Sequence, residues 1–229
     1  SNSGIMNKYW NIDNFDLKIQ DKTILANFSV DFHESTCLLG ESGSGKSLLL
    51  KELVKNKNYV GNVAFYFGET RICGNWKQEV SYSQLDKNVQ FFLEKFLETT
   101  KSFPYKYAIV LKILSFPDFF FCEDLHGLLS RKERMLLFRF LKEQHILIFY
   151  VTNDIEDTVY FDYLIVLKNN NIAMEGKTLL VLKEEKLMKL LGFSLPFYVN
   201  MSRQLSYYGL LEDVCLSKEE LEDKLWPSK

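Results

Sequence analysis

Eight consecutive residues, Gly40-Glu41-Ser42-Gly43-Ser44-Gly45-Lys46-Ser47, carry the densest chemistry in this 229-residue chain. They fit the pattern G-x-x-x-x-G-K-[ST]. In it, glycines let consecutive backbone N–H groups converge on phosphate oxygens, the lysine reaches the outer phosphates, and the hydroxyl sits on a magnesium ion. The flanks fit as well. Cys37-Leu38-Leu39 reads as the end of a strand, and Leu48 to Val54 as the opening of a helix, whose N-terminal partial charge favours an anion. A flexible Gly/Ser linker would not be bracketed by apolar runs. The expected ligand is a nucleoside triphosphate with Mg2+, contacted by Gly40 through Ser47.

Positioning such a loop takes a sheet, and the rest of the chain supplies one. Tyr9 to Phe32 alternates apolar and polar residues about a turn at Gln20-Asp21-Lys22, the pattern of an antiparallel strand pair. Val60 to Phe67 and Trp76 to Tyr82 read as further strands around a Gly68–Gly74 turn. Val89 to Leu97 reads as a helix, as does Tyr107 to Leu114, which the Pro117 region stops. Phe119-Phe120-Phe121-Cys122 is a buried strand ending in two carboxylates, Glu123 and Asp124. Ser130-Arg131-Lys132-Glu133 is a capping box for a helix through Lys142, with Arg131, Lys132 and Arg134 expected on its solvated side. Ile146 to Val151 is a fully apolar strand of the parallel-sheet kind, and Tyr163 to Met174 a hairpin turning at Asn169-Asn170-Asn171. This alternation predicts α/β layers around a mostly parallel sheet, with an N-terminal antiparallel strand region. After Gly176 short helices follow: one to Leu191, one from Leu195-Pro196 to Tyr207, and one capped at Ser217. The expected division is a nucleotide-binding domain over 6–178 and a small helical appendage over 179–229.

Composition narrows the classes. At 47% hydrophobic residues a substantial core is available, and a net charge of −2 gives no drive toward nucleic acid. Four cysteines without paired spacing favour reduced thiols and a cytosolic setting. No apolar run reaches the length of a membrane span, no signal-peptide pattern is present, and Ser1 to Ile5 reads as an expression remnant ahead of Met6. His33, His126 and His145 lack metal-ligand spacing, and the phenylalanine clusters read as core.

Beyond the loop, the chain resembles an ATP-binding subunit of an ABC transporter. "WKQEVSYSQ" is similar to the strand leading into that family's Q-loop, placing its glutamine at Gln84. "AIVLKILSFPDFFFCEDL" resembles the helix, Pro-Asp turn and Walker B strand, and "ILIFYVTNDIEDTVYFDYLIVLKNNNIAMEGK" the switch strand and following hairpin. The C-terminal helices are similar to those of energy-coupling factor ATPases. The resemblance implies a P-loop NTPase core of the RecA-like ABC ATPase kind, with Ser47, Gln84 and Glu123 around the magnesium ion. It further implies Asp124 and Asn153 as catalytic positions, and Ile19 where an aromatic residue would stack on adenine. As partners it implies a homo- or heterodimeric ATPase and a transmembrane coupling subunit, on the cytoplasmic face of the membrane.

Four departures stand out. The family's Asp-then-Glu order is reversed at Glu123-Asp124. Its switch histidine falls at Asn153, which can donate a hydrogen bond but carries no charge. Its aspartate after Walker B falls at Ser130. The segment from Gln84 to Glu123 is too short for a full helical subdomain, and Thr99 to Phe103 stands where the LSGGQ signature would end. These features keep a second reading open, an ATP-binding regulatory or scaffold subunit with little or no hydrolysis. A small-molecule kinase is disfavoured, because no arginine cluster of a lid is present.

Overall fold

The apolar runs become the strands of two sheets. The computed structural model describes residues 9–19, 21–55, 59–68, 77 and 80–227. β1 (Tyr9–Ile19) and β2 (Lys22–Phe32) pair antiparallel, with β4 (Tyr59–Val60) on the far edge of β1. The second sheet has the order β5-β6-β7-β3-β8-β9, from β5 (Val63–Tyr66), β6 (Phe119–Glu123), β7 (Leu147–Thr152), β3 (Thr36–Leu39), β8 (Tyr163–Lys168) and β9 (Asn171–Lys177). Every pairing in it is parallel except the β8–β9 hairpin. The helices are α1 (Lys46–Lys55), α2 (Lys87–Phe96), α3 (Phe103–Ile113), α4 (Arg131–Glu143), α5 (Thr178–Lys183), α6 (Glu185–Leu190), α7 (Phe197–Tyr207) and α8 (Lys218–Leu225). Residues 1–8, 69–76, 78–79 and 228–229 lie outside the described residues, as do 20 and 56–58. The expected Gly68–Gly74 turn therefore falls almost wholly outside them.

Because side chains alternate across a strand, the central strands feed two cores at once. Leu38, Phe119, Phe121, Phe149, Val151, Ile165 and Leu167 face α1 and the first sheet, where they meet Leu49, Leu50, Leu53, Phe28, Val30 and Phe32. The intervening Cys37, Leu39, Phe120, Cys122, Ile148, Tyr150, Leu164 and Val166 face α2, α3, α4 and the C-terminal helices. Phe32 is the bolt between the sheets, its ring centroid 5.7 Å from Phe119, 6.0 Å from Phe121 and 5.4 Å from Phe149. On the opposite face Phe92 of α2 stacks on Phe140 of α4 at 3.9 Å.

Two expectations about strands give way. The run Val60 to Phe67 is split between the sheets at Gly61, whose φ of +134° and close approach to Asp118 (2.8 Å from an added Cβ) leave room only for glycine. There Asn62 N–H donates to the Asp118 carboxylate at 2.7 Å, ending one pairing and starting the next. Of the stretch Trp76 to Tyr82, expected as a strand, the described residues are not in a strand: Lys77 is helical and Tyr82–Gln84 is a 3-10 turn, while Trp76, Gln78 and Glu79 lie outside the described residues. Side-chain bonds win here. Gln90 Nε2 donates to the Tyr82 and Leu85 carbonyls at 3.1 and 2.9 Å, and the Tyr82 hydroxyl donates to Glu94 at 2.7 Å, so the segment is fastened to α2 instead of to a strand.

The capping box at Ser130 is formed in both directions, with Glu133 N–H on Ser130 Oγ and Ser130 N–H on Glu133 Oε1. One turn further, Arg134 departs from expectation. It is buried, 5% exposed, whereas Arg131 and Lys132 are solvated. α2 and α3 alone occupy the segment before β6. They are closed by Lys106, wholly buried, which pairs with Glu133 and donates to the Thr99 carbonyl and hydroxyl at 3.1 and 2.7 Å. Residues 181–199 share the body's core through Val181, Leu182, Met188, Phe193, Leu195 and Val199. A small cluster of Leu211, Cys215 and Leu221 holds the last turns.

Truncating the bolt should be costly. Phe32→Ala is expected to remove about 3–5 kcal/mol of stability, as large-to-small changes at buried phenylalanines do. Urea unfolding of wild type and variant measures it, with an unchanged slope and a lowered midpoint as the expected outcome.

Candidate nucleotide site

The loop leaves β3 at its carboxyl end and enters α1 directly. Gly40 N–H donates to the Thr152 carbonyl at 3.2 Å, which ties the start of the loop to the end of β7. Ser44 N–H donates to the Glu41 carbonyl at 3.2 Å, and Leu49 N–H to the Gly45 carbonyl at 2.9 Å, where α1 begins. Gly43 and Gly45 sit at φ of +81° and +83°, the left-handed region that a Cβ disfavours. Gly40 is required for space: an added Cβ would lie 2.9 Å from Ser44 Oγ and 3.1 Å from Lys46 Cδ.

Lys46 is buried and folds back over the loop, its Nζ donating to the Glu41 carbonyl at 2.6 Å and to Ser44 Oγ at 3.2 Å. Burial pulls its ammonium below the usual lysine range, and the charges of Asp124, Glu123 and Glu41 push the other way. Both carboxylates at the end of β6 therefore act on this lysine. Ser47, on the first turn of α1, is exposed.

Glu123 is the last residue of β6 and half-buried. Its Oε2 is sealed from solvent with no hydrogen-bond partner among the described residues, a costly state for a carboxylate oxygen. Asp124 follows at φ +44°, its N–H on the Val151 carbonyl at 3.0 Å and its side chain exposed. Asn153, just past β7, donates from Nδ2 to Ser42 Oγ at 2.9 Å and so lies on the loop. The fold thus brings Lys46, Glu123, Asp124 and Asn153 together from three strand ends.

Two further expected residues, Gln84 and Ile19, have no hydrogen bond to the loop among the described residues. Gln84 is exposed in its 3-10 turn, and no hydrogen bond among the described residues links its side chain to the loop. Ile19 ends β1, but its side chain lies outside the described residues. Next to the loop, Phe15, Leu17 and Lys18 of β1 and Leu48 and Glu52 of α1 line a cleft of about 450 Å3.

Other neighbours escaped sequence reasoning. Lys168 pairs with Glu41 at 2.7 Å, and an added Cβ at Gly192 would lie 3.2 Å from Glu41 Oε1, so the turn after α6 rests on the loop. The signal for Lys168 lay in the β3–β8 register, Leu39 opposite Val166, which no local pattern reveals.

The fold around this site is shared with solved structures. No family model matches the chain. The structure of cbiO1 from Clostridium perfringens, part of the ABC transporter complex cbiONQ, superposes with a TM-score of 0.61 at 16% identity, covering 81% of this chain and 95% of that one. A structure of an ATP-binding subunit of an ABC transporter superposes equally well, at 0.61 and 14% identity, over 80% and 99% of the two chains. The fold is that of an ABC transporter ATPase. In sequence the chain is similar to the energy-coupling factor transporter ATP-binding protein EcfA1. The identity is 27% over 115 residues with that of Listeria innocua, covering 48% of this chain and 41% of the relative. With that of Geobacillus kaustophilus it is 29% over 89 residues, covering 38% and 32%. The chain thus spans less than half the length of the curated relatives it matches.

Loop geometry of this kind is intolerant of a methyl group. Gly45→Ala is expected to cost about 1–2 kcal/mol from the left-handed backbone alone. Chemical denaturation against wild type is the measurement, and a neutral result would mean that the loop relaxes into another conformation.

Proposed function

We propose that this chain binds ATP together with Mg2+ and serves as the nucleotide-binding subunit of an ABC-type membrane transporter of the energy-coupling factor kind. The observation that carries the reading is the convergence at one edge of the sheet: a left-handed glycine loop, a buried lysine capping that loop's own carbonyl, and a sealed carboxylate oxygen on Glu123 with no hydrogen-bond partner among the described residues. In this reading Lys46 Nζ exchanges the Glu41 carbonyl and Ser44 hydroxyl for phosphate oxygens. The base lies in the cleft beside Phe15 and Leu17.

Glu123 and Ser47 offer hard oxygen donors suited to magnesium, with Gln84 as a more distant candidate. Among the described residues no group of three or more His, Cys, Asp or Glu forms a preassembled metal cage. That accords with an ion held by one or two protein oxygens and by the phosphates. A magnesium ion held by these oxygens would supply charge neutralisation to the phosphates. Asp124 is placed to hold the attacking water and accept its proton at the carboxylate, and Asn153 to turn its amide from Ser42 toward the γ-phosphate. An aspartate reaches less far than a glutamate, and an amide brings no charge, so turnover by the isolated chain is slow.

Without the family's signature motif, the chain relies on a second ATPase that retains one to close its own site. Exposed apolar residues of the C-terminal helices, Leu190 at 79%, Tyr207 at 91% and Trp226 at 72%, support an association surface for that partner or for a transmembrane coupling subunit. Among the described residues no helix is long and apolar enough to cross a membrane. Attachment to the cytoplasmic face through a partner follows from this reading.

Lys46→Ala should weaken Mg-ATP binding at least about tenfold, since charge-assisted contacts of this kind are worth about 1.5–3 kcal/mol. Calorimetric titration decides, and equal affinity in both proteins would sink the assignment. The double exchange Glu123→Asp with Asp124→Glu should raise the rate of phosphate release, because a well-placed base contributes about 10²–10⁴-fold. Wild-type turnover near the usual enzyme value of roughly 10 per second would instead show that the reversed order is no handicap.

A further inference from the structure

Arg134 joins the two loops that carry the candidate catalytic positions. Its side chain is 6% exposed and that of Asp157 1%. Nε donates to Asp157 Oδ1 at 2.9 Å, Nη1 donates to the Leu129 carbonyl at 2.8 Å, and Nη2 stands 4.0 Å from Asp154 Oδ2. Leu129 belongs to the segment that runs from Asp124 to α4. Asp154 and Asp157 belong to the segment that follows Asn153.

The far ends are fastened too. The Tyr150 hydroxyl of β7 donates to the second oxygen of Asp157 at 2.9 Å. Asp154 accepts Glu156 N–H at 3.0 Å, and its own N–H donates to Thr152 Oγ1 at 3.0 Å. His126, in the loop after Asp124, has Nε2 3.6 Å from Asp154 Oδ2. Burial pushes the Asp157 carboxyl up, while the Arg134 charge and the Tyr150 hydroxyl pull it back down.

A buried ion pair is weak evidence for stability, because the desolvation of two charges offsets their attraction. What a guanidinium adds is geometry. Its planar fork presents several donors at fixed angles, so a single residue can hold a carboxylate and a carbonyl in one plane. A lysine would keep the charge and lose the second attachment.

We infer that Arg134 is a positioning residue: it holds the loop bearing Asp124 in register with the loop bearing Asn153, and so sets both against the phosphate loop. The inference rests on the nucleotide reading above. It concerns the reacting geometry rather than ground-state binding, because the residues that grip the phosphates, Gly40 to Ser47, make none of these contacts. The expected signature is therefore a split, with phosphate release or transition-state affinity falling while Mg-ATP affinity holds.

The test compares wild type with Arg134→Lys in the full chain. Three quantities are measured: Mg-ATP affinity by calorimetry, phosphate release together with affinity for Mg-ADP–aluminium fluoride, and melting temperature. Release and mimic affinity are expected to fall by about tenfold, the effect of one charge-assisted hydrogen bond on a barrier, with Mg-ATP affinity within a factor of about two. Should Arg134→Lys fail to fold, Tyr150→Phe, which loosens Asp157 alone and leaves both Arg134 attachments in place, is expected to show the same split at roughly threefold, the lower end of what one hydrogen bond contributes. Unchanged release and mimic affinity overturn the inference. So does a parallel loss of Mg-ATP affinity, mimic affinity and melting temperature, which is the mark of a merely structural residue. A wild-type chain that binds Mg-ATP but neither releases phosphate nor holds the mimic overturns it as well, while leaving nucleotide binding intact. Absence of Mg-ATP binding in wild type would instead overturn the nucleotide reading itself.

Discussion

Parallel pairing of β3 with β7 on one side and β8 on the other is the constraint from which the site follows. In that arrangement Leu39 lies opposite Thr152 and Val166, and Glu123 of the neighbouring β6 opposite Val151. Parallel strands deliver their carboxyl ends to one edge of a sheet, where crossover topology opens a crevice. Gly40, Asp124, Asn153 and Lys168 emerge there as neighbours although the chain separates them widely. A slip of one residue would exchange the two faces of a strand. Burial on both faces forbids it, since Phe120 and Phe121 each have a full set of partners in opposite cores.

The same sheet explains how the segment before β6 is packed. α2 and α3 lie beside α4, which Phe92 of α2 and Lys106 of α3 both reach. Glu133 does two things at that junction: one carboxylate oxygen caps α4 through Ser130 N–H, and the other meets buried Lys106 of α3. The stacked Phe92 and Phe140 fill the space beside them. A charge as deeply buried as Lys106 persists only with such a partner and with hydrogen bonds to Thr99.

Electrostatics link the loop outward to the C-terminal helices. Glu41 accepts Lys46 through its carbonyl and Lys168 through its carboxylate, while the Gly192 turn rests against that carboxylate. The C-terminal helices therefore touch the residue that opens the loop as well as presenting apolar side chains to solvent. Glu156, three residues past Asn153, accepts Phe197 N–H at the start of α7 at 2.9 Å. Both loops at this edge of the sheet thus have a contact with the C-terminal helices or the turn between them.

Local chemistry made much of this legible. The glycine pattern, Lys46, the two carboxylates after an apolar strand, the Ser130 capping box and the alternating N-terminal pair are decided within a few residues, and the chain shows them without a fold. Tyr82, expected at the end of a strand, sits in a 3-10 turn instead, because the side-chain bonds of Gln90 and Tyr82 to and from α2 are not visible in a local pattern. Arg134 read as a surface charge beside Arg131 and Lys132, since nothing in its own helix foretells an aspartate on a distant segment. The pairing of Lys168 with Glu41, and of Asn153 with Ser42, likewise depended on strand order and register. The sequence determined which residues could do chemistry, because glycine conformation, caps and apolar runs are short-range. Only the tertiary structure decided which of them meet, because ion pairs and hydrogen bonds between segments exist only once the parallel sheet has brought the strand ends together.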